Sequence, residues 1–166
     1  QGPSEVHAAA LEAATAIRGQ TNDLYGLGPR LMVVLGSGCG DVAKNITPVH
    51  EISYADIPGM PQSTVAGHKG ALLIGTYTAD AIPVLAFQGR KHVYEGASAQ
   101  EVSFSLYLAK ALGVEAAIMT TATGIVPNPG TKPGDADRYP AAVGTVFLVA
   151  SYNPNQLPSS LRGPIG

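Results

Sequence analysis

Near the start of the chain apolar residues recur at helical spacing: Val6, Ala10, Ala13, Ala14 and Ile17 share one stripe. Ser4 stands where an N-cap belongs, Glu5 falls in the first turn and Gly19 offers a stop, so the pattern predicts a helix over residues 5–19. The period then changes to short apolar runs. Leu31 to Leu35 reads as a buried strand that empties into Gly36-Ser37-Gly38-Cys39-Gly40 and a short helix through Ala43. Residues 48–70 are rich in turn signals, Pro58-Gly59 and Gly67-His68 among them, and read as loop. Residues 71–77 and 81–87 read as two strands about a turn at Ala79-Asp80. Ser98 caps a second helix reaching Leu112, with Gln100 and Glu101 in its first turn, Val102, Leu106, Ala109 and Leu112 on one stripe, and Gly113 at its end. Residues 115–121 form another strand, 124–144 a Pro- and Gly-rich loop, 145–151 a last strand, and 152–166 a Pro- and Ser-rich tail. Strands alternating with helices predict an α/β domain with a mostly parallel sheet.

Composition narrows the choice of partner. Hydrophobic residues make up 45% and charged residues 13%, which excludes a disordered chain and implies that much surface is covered, by the fold or by other subunits. The net charge is -2 with no basic run, so no nucleic-acid partner is expected. No apolar stretch approaches membrane-spanning length, so no membrane partner is expected either. The single cysteine, Cys39, rules out an internal disulfide framework and fits a reducing compartment, so the expected location is cytoplasmic. Gln1-Gly2-Pro3 reads as a cleaved-tag remnant, leaving residues 4–166 as one domain.

Four loops carry candidate chemistry. In Phe87-Gln88-Gly89-Arg90-Lys91-His92-Val93-Tyr94-Glu95-Gly96, an extended backbone would put Arg90, His92 and Tyr94 on one face and Lys91, Val93 and Glu95 on the other. A cation, an imidazole and a phenol together suit an anionic ligand bearing hydroxyls; a solvated loop is the alternative. The Gly36–Gly40 turn can aim backbone N–H groups at an anion, with Ser37 adding a hydroxyl. It is neither the dinucleotide fingerprint nor a P-loop, and tight strand–helix packing accounts for it equally well. His68, between Gly67 and Lys69, reads either as a lid residue titrating near neutrality or as an exposed loop histidine. Thr121, Ala122, Thr123 and Gly124 follow a strand, where open sheets place ligand loops, or form a polar turn that satisfies the strand end. Taken together, Ser37, Arg90, His92 and the amides around Ala122 are expected to converge on one oxyanion, with His68 nearby. No His or carboxylate pair has metal-ligand spacing, so no metal is expected. Cys39 lacks a base and is a poor nucleophile candidate.

The segments VVLGSGCG, IPGMPQSTVAGHKG, QGRKHVYEG and ALGVEAAIMTTATG resemble the trimeric purine nucleoside phosphorylase family, in that family's order, from Leu31 to Gly124, with a weaker echo in Leu161-Arg162-Gly163-Pro164. The resemblance implies a three-layer α/β/α fold around a mixed, mostly parallel sheet. It implies a glycosyltransferase that phosphorolyses a purine nucleoside to free base and ribose 1-phosphate, with inorganic phosphate as co-substrate and no cofactor. It further implies a homo-oligomer, with a trimer favoured. Matched residue by residue, Ser37, Arg90, His92 and the Ala122 backbone fall on the phosphate site and Tyr94 on a ribose contact. His68 falls on a histidine beside phosphate and sugar, so that His92 and His68 are the catalytic candidates.

Departures are visible. Thr121-Ala122-Thr123-Gly124-Ile125 stands where the family has Asn-Ala-Ala-Gly-Gly, leaving Thr121 and Thr123 as substrate-binding candidates on an altered pocket floor. Residues 127–144 are longer than the family's loop, and Ala150-Ser151-Tyr152-Asn153 replaces Asp-His-Ile-Asn. The match covers only the N-terminal two-thirds of a family subunit, and the family's purine-recognising carboxylate has no counterpart before Gly166. The alternatives are a diverged enzyme acting on another small molecule, and a non-catalytic phosphate-binding or assembly protein that keeps the fold core.

Apolar strands need cover on both faces, and two helices are few for the task. The isolated chain is therefore expected to associate. Light scattering coupled to size exclusion should give a mass above that of one chain. A single monomeric species, unchanged on dilution and silent to a hydrophobic dye, would overturn this expectation.

Overall fold

The computed structural model describes residues 3–62, 68–78 and 81–120. The first helix, α1, spans Pro3–Gln20 and buries Val6, Ala10, Ala13, Ala14 and Ile17, the stripe that the pattern predicts. It runs past Gly19, because the stop is made by Thr21. The buried Thr21 hydroxyl donates to the Ile17 carbonyl at 2.6 Å and accepts from the Leu24 amide at 3.0 Å. The chain then turns left-handed through Asn22, Asp23, Leu24 and Tyr25, whose φ angles run from 43° to 57°. For L-residues such a turn costs about 1–2 kcal/mol each. Burial of Leu24, an Arg18–Asp23 ion pair and a Tyr25 hydroxyl bond to His50 Nδ1 at 3.1 Å offset it.

Five strands follow among the described residues: β1 (Leu31–Leu35), β2 (Ile46–Ser53), β3 (Ala71–Tyr77), β4 (Ile82–Gln88) and β5 (Ala116–Met119). The second helix, α2, spans Ala99–Ala111 between β4 and β5. The strand order is β2-β3-β4-β1-β5. β1 runs parallel to β4 and β5, whereas β2–β3 and β3–β4 are antiparallel. The sheet is mixed, as expected, but its described pairings divide equally between the two kinds instead of being mostly parallel. The carboxyl ends of β1, β4 and β5 lie side by side. The chain leaves β1 toward β2 and leaves β4 toward β5, so the two connections run in opposite directions past the carboxyl ends of β1 and β4.

The main core joins α1 and α2 to one face of the sheet, through Met32, Val34, Leu72, Ile74, Leu85 and Phe87 packed with Ile17, Phe104 and Leu108. On the other face Ile46, Leu73, Val84 and Ala86 cluster with Leu31 and with Ala43, from the 3-10 turn Gly40–Asn45. Both described helices thus cover one face.

Most of β2, from Pro48 on, lies within residues that read as turn-rich loop. It is an outer strand with only Ile46 and Ile52 buried, and its register slips between Pro48 and His50. The extra residue sends Ile46 to one face and Ile52 to the other, although six positions separate them. A broken alternation leaves no period to detect. Helix α2 starts where its capping box predicts: Ser98 Oγ accepts from the Glu101 amide at 3.2 Å, and the Glu101 carboxylate accepts from the Ser98 amide at 2.8 Å. These bonds, with Lys91 nearby, hold the Glu101 carboxyl below its ordinary range. The turn at Ala79-Asp80, the loop 124–144, the strand 145–151 and the tail lie outside the described residues. Among the described residues no helix is long and apolar enough to cross a membrane.

The Thr21 clamp can be tested directly. Thr21→Val keeps the shape but strands the buried Leu24 amide, at a cost of about 1–3 kcal/mol. Urea unfolding should show a lower midpoint for Thr21→Val and near-parental behaviour for Thr21→Ser. Equal midpoints for parent and valine variant would exclude the hydroxyl as the element that ends α1.

Candidate active site

Gly89 organises the end of β4. Its amide lies 3.1 Å from the Leu35 carbonyl, which ties the end of β4 to the end of β1. Its carbonyl accepts from the Tyr54 hydroxyl at 2.8 Å. Tyr54 is fully enclosed, and burial pushes its phenol far above the ordinary range, so it stays a neutral donor. The Gly70 amide donates to the Gln88 carbonyl at 2.9 Å and the Tyr54 amide to the Gly70 carbonyl at 2.8 Å, so residues 68–70 lie along the end of β4. Gly89 has φ +102°, and a Cβ there would stand 2.6 Å from Cβ and Cγ of His68. The missing side chain is the slot into which His68 fits.

From that slot a ladder of rings rises. His68 and His92 stack with centroids 5.6 Å apart and planes 23° apart. His92 and Tyr94 stack at 4.7 Å and 22°. An extended backbone does not produce this arrangement. β4 stops at Gln88, His92 is extended, and Val93–Glu95 forms a 3-10 turn closed by Gly96. The turn brings His92 and Tyr94 together, as expected, but does not send Glu95 away.

Glu95 is the residue that sequence reasoning missed. Its Oε1 accepts from the His92 amide at 2.8 Å and from His92 Nδ1 at 2.9 Å. Its side chain is 5% exposed and that of His92 16%. An ionised carboxylate only accepts, so Nδ1 of His92 is the donor in this contact, and Nε2 is the ring nitrogen that the contact leaves over. The signal in the sequence is His-x-x-Glu, a capping-box spacing, which an extended reading of the segment conceals.

Ser37 and Gly38 are exposed on the turn that follows β1, which is closed by the Cys39 amide on the Gly36 carbonyl at 3.0 Å. The half-buried Arg90 follows Gly89 directly, and its charge acts on His68. The structure thus brings Ser37, His68, Arg90, His92 and Tyr94 to one edge of the sheet. Thr121, Ala122 and Thr123 lie outside the described residues; Thr120, which precedes them, donates its amide to the Val34 carbonyl at 3.1 Å beside the same turn. A hollow of about 240 Å³ lined by Arg18, Leu24, Pro29 and Leu112 lies instead at the amino ends of β1 and β5, away from these groups.

His68 titrates below its ordinary range. Burial is the first cause, followed by the His92 charge; Glu95 and a bond to the Arg90 backbone pull upward, and the Arg90 charge pushes down. The unfolded chain therefore takes a proton at His68 at a pH where the folded chain does not. Below an ordinary pKa of about 6.5 the unfolded state holds the extra proton, and stability falls with pH. In phosphate-free buffer, urea midpoints of the parent should fall between about pH 7 and pH 5 more steeply than those of His68→Phe, which keeps a ring in the slot. Identical slopes would show that His68 is not the group concerned.

A sequence profile of the Phosphorylase superfamily matches residues 30–137. Purine nucleoside phosphorylase 1 of Bacillus subtilis (strain 168) is 46% identical over 107 residues, which cover 64% of this chain and 38% of that protein. Purine nucleoside phosphorylase of Bos taurus is 37% identical over 107 residues, covering 64% of this chain and 36% of its own length. Among solved structures, Schistosoma mansoni purine nucleoside phosphorylase in complex with adenosine aligns with a TM-score of 0.59 at 32% identity, over 69% of this chain and 38% of that one. Isoform 2 from Schistosoma mansoni, in complex with cytosine and ribose-1-phosphate, aligns with a TM-score of 0.58 at 36% identity, over 68% and 38%. The chain thus spans well under half the length of the relatives it matches, and the matched residues contain the loops at the carboxyl ends of β1 and β4. The fold is that of the nucleoside phosphorylases, and the chain belongs to the phosphorylase superfamily.

Proposed function

We propose that this chain carries the phosphate-holding half of a purine nucleoside phosphorylase. The observation that carries this reading is the geometry around His92: a buried carboxylate fixes its Nδ1 proton, and a second imidazole stacks on it from the Gly89 slot. The setting is a sequence 46% identical to a purine nucleoside phosphorylase.

In this reading inorganic phosphate is the nucleophile. Its oxygen forms a bond to C1′ of the ribose as the bond from C1′ to the purine nitrogen breaks, and that bond's electron pair leaves with the base. Arg90 offers a planar fork of donors to the phosphate, while Ser37 and the amides of its turn complete the cradle, with the Ala122 amide as a further donor. His92, oriented by Glu95, turns Nε2 to the phosphate, where it accepts from the P–OH of the dianion. His68 sits over phosphate and sugar, and the exposed ring of Tyr94 packs against the ribose. Holding the dianion in place removes much of the entropic cost of a bimolecular step, and its charge stabilises the cationic sugar carbon. Thr121 and Thr123 contact substrate on a floor that departs from the family pattern, which favours a diverged enzyme acting on another small molecule as the second reading. No cofactor enters the scheme. The partners are a nucleoside, phosphate and further copies of this chain, a trimer first among the assemblies. Residues 4–166 act as one domain, and the location is the cytoplasm.

Phosphate should raise the melting temperature of the parent by mass action, and Arg90→Ala should abolish the rise. A mutant that responds like the parent would remove Arg90 from the site. These 166 residues by themselves should release hypoxanthine from inosine and phosphate very slowly or not at all, because no group assigned here meets the charge that develops on the leaving base. Turnover at about 1 s⁻¹ or above would show that groups in these residues replace the missing ones.

A further inference from the structure

The ends of β1 and β5 are joined by a side chain. Val34 pairs with Met119 in parallel register, and the Thr120 amide makes the last ladder bond to the Val34 carbonyl at 3.1 Å. The next rung of a parallel ladder would run from the Gly36 amide to the Thr120 carbonyl. Instead that amide donates to Thr120 Oγ1 at 2.8 Å, while the same hydroxyl donates to the Val34 carbonyl at 2.9 Å. A hydroxyl has one proton to give and lone pairs to accept with, and this one uses both functions. The approach is close: a Cβ on Gly36 would stand 2.4 Å from the Thr120 carbonyl oxygen. Only a glycine lets the strands meet there, and the hydroxyl then substitutes for the displaced carbonyl.

Ending the ladder in a side chain has a consequence for the next residues. The Gly36 peptide is pinned on both sides, by Thr120 at its amide and by the Cys39 amide on its carbonyl at 3.0 Å. Among the described residues neither the Ser37 nor the Gly38 amide donates to protein, and both residues are exposed. We infer that Thr120 is a positioning residue for the oxyanion site: its hydroxyl ends the β1–β5 ladder so that the Ser37 and Gly38 amides are held out for an anion. The inference rests on the phosphate-site reading above. Thr120 itself need not touch the ligand.

The test uses inorganic phosphate as probe. Parent, Thr120→Ser and Thr120→Val are titrated by calorimetry, and backbone amides are followed by ¹H–¹⁵N NMR. Thr120→Ser should bind within about threefold of the parent, and Thr120→Val about tenfold or more weakly, as expected for a lost hydroxyl that strands the Gly36 amide. Leu108→Ala, a core change away from the site, controls for lost stability and should bind as the parent does. In the parent the Gly36 amide should resist hydrogen exchange without ligand, while the Ser37 and Gly38 amides should gain protection only when phosphate is added. That measurement needs no variant and holds if the valine protein fails to fold. If the parent binds phosphate and Thr120→Val binds equally well, or if Ser37 and Gly38 gain no protection, the inference falls while the phosphate site stands. If the parent binds no phosphate, the site falls and the inference with it.

Discussion

A Cβ on Gly89 would collide with the His68 side chain at 2.6 Å, in a backbone conformation of φ +102° that L-residues rarely adopt. Most other contacts of the site depend on this vacancy. His68 occupies it, His92 stacks on His68, and Tyr94 stacks on His92. The peptide that creates the space is fixed by the Leu35 carbonyl on one side and the enclosed Tyr54 hydroxyl on the other. Leaving either partner of the buried Tyr54 bond unsatisfied costs about 1–3 kcal/mol, enough to hold a single-residue peptide against thermal motion.

The two halves of the mixed sheet contribute differently. The parallel strands β4, β1 and β5 bring three carboxyl ends into line, which sets the anion-facing turn beside the Arg90–Tyr94 segment. The antiparallel part supplies what lies over them. Tyr54 follows β2, and His68 precedes β3, so both reach the end of β4 through the pairing that places Ala71 opposite Gln88. Charge is balanced at short range. Glu95 sits almost fully enclosed against His92 and limits the positive charge that Arg90 and the imidazoles would otherwise build up with no anion present.

The sequence made the strongly periodic parts legible. Helix α1 and its stripe, the Ser98 capping box, and the three inner strands follow directly from spacing and turn chemistry. So did the grouping of Ser37, Arg90, His92 and His68, because glycine-rich strand ends and clustered donors are local signals. What stayed hidden depends on non-local geometry. β2 was masked by its slipped register and by exposed residues on an outer strand. Thr21 ends α1 by a hydroxyl bond that looks like any polar residue in a loop. Glu95 is hidden because an extended segment sets residues three apart on opposite faces, whereas the 3-10 turn brings Glu95 back onto His92.

The slipped register in β2 also bears on how copies of the chain can meet. An outer strand with a row of free amides and carbonyls is a template for another strand, and sheets that extend from chain to chain are a route to fibres. Here Pro48 has no amide to offer, the irregularity at Val49 breaks the row, and the Lys69–Glu51 pair sets charge beside it. The strand that was hardest to read from the sequence is thus poorly suited to recruit a neighbour's strand. Association of copies, where it occurs, is directed toward side-chain packing and away from backbone-to-backbone growth along β2.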